Sequence, residues 1–208
     1  MDIGSLLEEH LEKMASHYTQ GDCLPLMKQA KDEYFKITGV VNEDDPEYEA
    51  RINCFLDWYF FNFTDEEGLR VIDRYIKDFE IDNKVALSFL NVNYSLFHFV
   101  KYSWRKKIVL KDILHSLRIT LNLEGNHLGL VEGDLFIGRI FNYNDENFLL
   151  NGLCVIPNDV IGILAKESKK IRKLKNFNQE TNFLLQLESM KTRSIQYGHI
   201  NPDKIFSF

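Results

Sequence analysis

Hydrophobic residues recur at helical spacing through the first 92 residues of the chain. The first stripe advances four, three and four residues at a time through Leu7, Leu11, Met14 and Tyr18. Residues at this spacing share one face of a helix. A second stripe occupies residues 24–37, and the aromatic segment 48–63 is apolar on nearly every side. The pattern predicts an N-terminal helical bundle packed around a central helix at 48–63.

The hydrophobic period shortens to two residues after Asn93. Strand-like segments occur at residues 94–102, 108–110, 118–123, 135–141 and 148–156. Gly, Asn and Asp residues that favour turns lie between several of them. Five short strands without a long helix between them favour a small antiparallel β-barrel, either SH3-like or OB-like.

Helical spacing returns after Asn158, with apolar residues that include Leu164, Ile171 and Leu187. We therefore expect an α+β protein with three parts. These are a helical region at residues 1–92, a small β-barrel at 93–157, and C-terminal helices with a tail at 158–208. The three parts are expected to pack closely, either as one unit or as neighbours.

The net charge of −6 is unevenly distributed along the chain. Residues 1–90 carry 20 acidic and 9 basic side chains, whereas residues 91–208 carry 11 acidic and 16 basic ones. Opposite fields attract each other within a molecule, across a dimer or toward a partner. The split therefore favours a protein partner or self-association, and the alternative is two packed halves whose fields cancel.

The sequence shows no feature of a secreted or membrane protein. Its first residues lack the basic start and apolar core of a signal peptide. No apolar run approaches the roughly 20 residues of a membrane-spanning helix. The three cysteines are widely separated, which favours free thiols over a disulfide framework: Cys23, Cys54 and Cys154. We expect a cytoplasmic protein with no membrane partner.

Candidate catalytic residues are isolated in the sequence. Asp57 lies within the aromatic helix, where burial would raise its pKa and suit it to acid–base chemistry. The alternative is hydrogen bonding to nearby backbone, or pairing with an arginine such as Arg51, Arg70 or Arg74. His98 is a second acid–base candidate, with a hydrogen-bonded core histidine as the alternative. Because HExxH, CxxC, GxSxG and P-loop motifs are absent, we predict no metal, cofactor or assigned catalytic residue and favour a non-enzyme.

Two basic clusters are the candidate partner-binding residues. The first joins the first two predicted strands and mixes cations with an aromatic residue: Lys101, Trp104, Arg105, Lys106 and Lys107. Such a loop can hold single-stranded nucleic acid by charge and stacking. The second follows one side of the predicted helix after Asn158: Lys166, Lys169, Lys170 and Lys173. It can contact phosphates or an acidic protein surface, and the alternative is a solvated helix face.

Four short motifs give the chain a resemblance to a group of uncharacterised bacterial proteins. They are F-x-x-W-(F/Y)-x-F at residues 55–61, Y-S-x-F at 94–97, L-x-D-(L/I)-L at 110–114 and G-D-x-x-x-x-R at 133–139. The resemblance implies a shared helix-plus-barrel scaffold and no established activity. Some members of the group carry a zinc-binding SEC-C motif at the C-terminus. This chain has no cysteine after Cys154, so no zinc site is implied here.

These observations favour a non-catalytic binding or adaptor protein that contacts a protein partner through the barrel and its helical neighbours. A nucleic-acid-associated protein that binds through the basic loop and helix is the first alternative. A hydrolase-type enzyme with no recognisable motif is the second.

Overall fold

The computed structural model describes residues 3–104, 107–123 and 129–208. Within these ranges the chain forms helices, then a sheet, then helices again, so the predicted α+β class is confirmed. The elements are α1 (Ile3–Tyr18), α2 (Leu24–Thr38), α3 (Tyr48–Phe61), α4 (Val71–Phe79), α5 (Asn83–Leu90), β1 (Asn93–Ser103), β2 (Lys107–Asp112), β3 (Leu117–Asn122), β4 (Leu135–Tyr143), β5 (Glu146–Leu149), β6 (Cys154–Ile156), α6 (Ile161–Leu174), α7 (Phe177–Gln196) and α8 (Pro202–Ile205).

The predicted central helix is α3, whose aromatic residues are buried on several sides. Phe55 packs near Tyr34 of α2, while Phe61 packs near Phe141 of β4. α2 ends at Gly39, which has a φ of 94° and donates its N–H to the Phe35 carbonyl. A glycine suits this position because positive φ is unfavourable for residues with a Cβ atom.

All strand pairs in the sheet are antiparallel. The strand order is β3-β2-β1-β4-β5, and β6 also pairs with β4. The sheet curls far enough to bring β3 and β5, at its two edges, into contact. Asn147 Nδ2 of β5 donates a hydrogen bond to the Thr120 carbonyl of β3 at 3.1 Å. The predicted small barrel is therefore present as a curled half-barrel.

The prediction of one strand over residues 148–156 is wrong. The structure contains β5, which pairs with residues 140–143 of β4, and β6, which pairs with residues 135–137. Gly152 lies in the segment between them and approaches α3 closely. A Cβ atom at this glycine would lie 2.2 Å from Asp57 Oδ2. Asn151 and Gly152 interrupt the apolar run at this point. An Asn-Gly pair is a turn signal, and the prediction of one continuous strand overlooked it.

Each face of the sheet contributes to a different hydrophobic core. Leu96 and Ile137 belong to the larger core, which also contains residues of the N-terminal and C-terminal helices. Phe97, Phe99 and Phe136 belong to a smaller core formed by the strands and the segments that join them. This alternation follows from the two-residue period of a strand. It also determines which of the polar strand residues are exposed.

Candidate binding surface

Four cationic side chains share one exposed face of strands β1, β2 and β3. Lys111 lies opposite Arg118 across β2 and β3, and Val109 lies opposite Lys101 across β1 and β2. Directly opposed residues lie on the same face of a sheet, as do alternate residues of one strand. Lys107 therefore joins this set, and all four cations are exposed. We call Lys101, Lys107, Lys111 and Arg118 the basic face.

Uncharged residues fill the rest of this face. Its three rows of register partners are His98–Lys111–Arg118, Lys101–Val109–Thr120 and Ser103–Lys107–Asn122. None of these nine positions is acidic, so no carboxylate within the rows neutralises the cations. His98 is half-buried, and burial together with the charge of Lys111 lowers its pKa. His98 is therefore neutral at pH 7, and Lys and Arg carry the positive charge.

A groove with a partly apolar lining borders the basic face at Lys111 and Arg118. It has a volume of about 310 Å³ and includes Val100, Val109 and Leu117 in its lining, beside Lys111 and Arg118. A β-bulge creates part of this shape, because the β1–β2 register shifts between Phe99 and Lys101. The shift leaves Val100 unpaired and 41% exposed. The surface thus combines positive charge with an apolar strip.

The described residues of the first predicted cluster lie where β1 ends and β2 begins. Trp104 is 86% exposed there, and Lys101 and Lys107 are exposed on the adjoining strands. Arg105 and Lys106 lie outside the described residues.

Sequence reasoning missed Lys111 and Arg118, the other half of the basic face. In β2, the alternate positions of Lys107, Val109 and Lys111 could have indicated that both lysines lie on one face of the strand. The opposition of Lys111 and Arg118 depends on the register of the β2–β3 hairpin. That register is not visible in either strand alone.

The second predicted cluster is exposed along α6, on residues Lys166, Lys169, Lys170 and Lys173. Leu164 and Ser168 are buried on the other side of that helix. Lys170 pairs with Glu167 at 2.5 Å. Near the end of α6, Arg172 Nη1 donates to the Leu114 carbonyl at 3.2 Å, in the turn after β2. The end of α6 and Trp104 therefore lie at opposite ends of β2.

A buried carboxylate and a histidine join the end of β2 to α7. Asp112 is fully buried and accepts hydrogen bonds from Asn93 Nδ2, Ser95 Oγ and the backbone N–H of His115. Its Oδ2 lies 2.9 Å from His115 Nδ1, and His115 Nε2 lies 3.4 Å from Glu180 Oε2. The Asp112 hydrogen bond is the largest factor that raises the pKa of His115. Burial opposes ionisation of Asp112, but these hydrogen bonds lower its pKa.

A second buried network centres on Glu188 of α7. Its carboxylate accepts hydrogen bonds from Tyr34 and Tyr94 and lies 3.7 Å from Arg51 Nη1. Burial and the Glu188 charge raise the pKa of both tyrosines, which therefore stay protonated as donors. These contacts tie α2, α3 and β1 to α7 inside the protein and do not form part of the exposed surface.

Asp57 is buried in α3, with 8% of its surface exposed. Burial raises its pKa to about 7, against the opposing effects of the Arg139 charge and the Gly152 backbone. The three arginines named as examples pair elsewhere: Arg51, Arg70 and Arg74 lie against Glu188, Asp73 and Asp65, respectively. The arginine whose charge acts on Asp57 is Arg139. The backbone contact from Gly152 matches the other structural alternative. Since Gly152 packs directly against Oδ2, this side of the carboxyl has no room for a substrate atom.

Metal ligands do not converge within residues 3–104, 107–123 and 129–208: no three His, Cys, Asp or Glu side chains there are placed to hold an ion. The three cysteines are free thiols. Burial raises the pKa of Cys54 and of Cys154 well above the ordinary value, so both stay protonated. Among the same residues, no helix has both the length and the apolar character required to cross a membrane.

Comparison with known proteins places the chain in a family. A family model described as "Family of unknown function (DUF7986)" matches residues 12–186, which is most of the chain. Searches of curated proteins and of solved structures returned no match. The prediction that this chain is one of an uncharacterised protein group is confirmed at that level. The chain belongs to the DUF7986 family of unknown function.

Proposed function

We propose that this protein is a non-catalytic binding protein that holds an anionic partner on the basic face. The observation that carries the proposal is the strand register. It places Lys101, Lys107, Lys111 and Arg118 on one exposed surface and leaves the rows between them free of carboxylates. An anion on this surface would relieve the repulsion between the like charges.

The charge distribution along the chain supports a single orientation of the partner. Residues 1–90 carry 20 acidic and 9 basic side chains, so the helical part repels the anion that the basic face attracts. Fields of this kind steer association and act more strongly on the on-rate than on the final affinity. A cytoplasmic location belongs to the same proposal, because free thiols such as Cys23 persist in a reducing compartment.

Binding of fluorescently labelled heparin, measured by polarisation on the full chain, tests the proposal. The variant Lys107→Glu/Lys111→Glu reverses two charges of the basic face. The control Lys28→Glu/Lys36→Glu makes the same change of charge at exposed positions of α2. We expect the first variant to bind at least about tenfold more weakly, with a smaller salt dependence, and the control to bind like the wild type.

Two results would overturn the proposal. One is that the wild type fails to bind heparin even at low ionic strength. The other is that both double variants lose affinity equally, since net charge alone would then explain the binding. Circular dichroism of each variant establishes that its fold is retained.

A further inference from the structure

We propose that the partner is a single-stranded nucleic acid that lies along β2, between Trp104 at one end and Phe177 at the other. This inference rests on the proposed binding function of the basic face and identifies the chemistry of the anion. The six residues of β2 span about 17 Å, so the basic face offers a path longer than one nucleotide.

The first end of the path is Trp104, directly after β1. Trp104 is 86% exposed there, next to strands that carry Lys101 and Lys107. An indole ring offers a flat surface on which any base can stack, while neighbouring cations hold the backbone phosphates. Trp58, the other tryptophan of the chain, is 5% exposed in the core and cannot take this role.

The second end of the path is the first turn of α7. Glu180 Oε2 lies 3.4 Å from His115 Nε2, in the turn that follows β2. Phe177 precedes Glu180 by three residues, so both lie on the same side of α7. Phe177 is 61% exposed. A second aromatic ring is therefore available where β2 ends, close to Arg172 and the last lysines of α6.

The groove between the two ends suits bases as well as phosphates. Its lining includes Val100, Val109 and Leu117 together with Lys111 and Arg118. Apolar side chains can pack against the faces of bases while cations contact the backbone. A duplex hides its base faces inside the helix, and an acidic protein surface has no bases to stack. The combination therefore favours a single strand over either of them.

Three carboxylates on neighbouring segments make contacts of their own. Glu132 accepts the backbone N–H of Tyr102, Glu167 pairs with Lys170, and Glu180 faces His115. Lys170 offsets the charge of Glu167, and protonation of His115 offsets that of Glu180, whereas the backbone contact leaves the charge of Glu132 in place. Beyond the path, the exposed lysines of α6 extend the positive surface.

Binding of labelled oligothymidylates of about 4, 8, 12 and 16 nucleotides tests the inference, since small β-barrels bind single strands in this size range. We expect affinity to rise with length until both ends are engaged, and Trp104 fluorescence to be quenched. Trp104→Ala and Phe177→Ala should each weaken binding by about fivefold to a hundredfold. Tyr197→Ala, which removes an exposed aromatic ring at the other end of α7, should leave binding unchanged.

Poly-L-glutamate, heparin and duplex DNA are the comparison ligands. If any of them binds as tightly as the single strand, and Trp104→Ala and Phe177→Ala have no effect, the inference is wrong and the proposed binding function stands. If neither heparin nor the oligothymidylates bind, the proposed function fails as well. Quenching, length dependence and sensitivity to both aromatic substitutions would together support the single-strand path.

Discussion

Lys111 on β2 lies directly opposite Arg118 on β3, with both side chains exposed on the same face of the sheet. Like charges in directly opposed positions destabilise a sheet. The pair is therefore unfavourable for folding and favourable for contact with an anion. Binding explains such a placement of like charges better than a structural role does, because the placement opposes folding.

This opposition predicts that stability and binding change in opposite directions. Arg118→Glu would replace a repulsive cross-strand pair with an attractive one. The free energy of unfolding, measured by urea denaturation, should increase by about 0.2–1 kcal/mol. Heparin affinity of the same variant should decrease. A variant that loses both stability and affinity would contradict this interpretation of the pair.

The contact between His115 and Asp112 predicts a pH-dependent contribution to stability. The folded state raises the pKa of His115 above its ordinary value of 6.5. Its stabilising effect is therefore complete below pH 6.5 and is lost as the pH rises through the folded-state pKa. Asp112, with its lowered pKa, stays ionised over this range.

The measurement is the unfolding free energy of wild type and His115→Gln at about pH 5.5 and about pH 9, on either side of the histidine titration. The wild type should exceed His115→Gln in unfolding free energy by a larger amount at the lower pH. His199→Gln, at an exposed position, is the control and should show no such change. A wild-type advantage that grows toward high pH would contradict the assigned sign.

The burial of Asp57 predicts a second pH-dependent contribution to stability, because burial raises the pKa of this carboxyl group. The group titrates at 3.8 when unperturbed and at about 7 in the folded protein. Ionisation therefore destabilises the folded state progressively as the pH rises between these values.

As the pH rises from about 4 to about 8, the free energy of unfolding of Asp57→Asn should therefore increase by roughly 4 kcal/mol relative to that of the wild type. Urea denaturation of both proteins across this range measures the difference. A stability difference that does not depend on pH would show that Asp57 is ionised in the core throughout.

The sequence allowed the helices and most strands to be predicted because each buries one periodic face. The pattern around Asp57 also pointed to a buried carboxyl, although not to its neighbours Arg139 and Gly152. Those contacts join residues that are distant in the chain, and local periodicity carries no information about them. For the same reason, only part of the basic face was predicted. Lys101 and Lys107 lie close to Trp104 in the sequence, whereas Arg118 shares a face with them only through the strand register.

The close approach of Gly152 to α3 predicts a sensitive position. In Gly152→Ala the new Cβ atom would lie 2.2 Å from Asp57 Oδ2 and 2.9 Å from the Asn53 carbonyl. Such overpacking should reduce the unfolding free energy by about 1–3 kcal/mol. Gly162→Ala is the matched control, because its Cβ atom meets nothing within 4 Å and the residue lies in α6.

The control should be neutral or gain up to about 1 kcal/mol from improved helix propensity. Denaturant unfolding of the two alanine variants beside the wild type makes the comparison. Equal stability of the two variants would mean that the segment between β5 and β6 does not hold the close packing against α3 described above.

The most direct measurement is a titration of the ¹⁵N-labelled protein with oligothymidylate, followed by amide chemical shifts. The account predicts that the largest changes map to β1, β2 and β3 around Lys101, Lys107, Lys111 and Arg118, and continue to Phe177. The N-terminal helices α1 and α4 should be unaffected. Changes centred on those helices would contradict the assignment of the basic face as the binding surface. An absence of changes at low ionic strength would contradict the single-stranded nucleic acid as its partner.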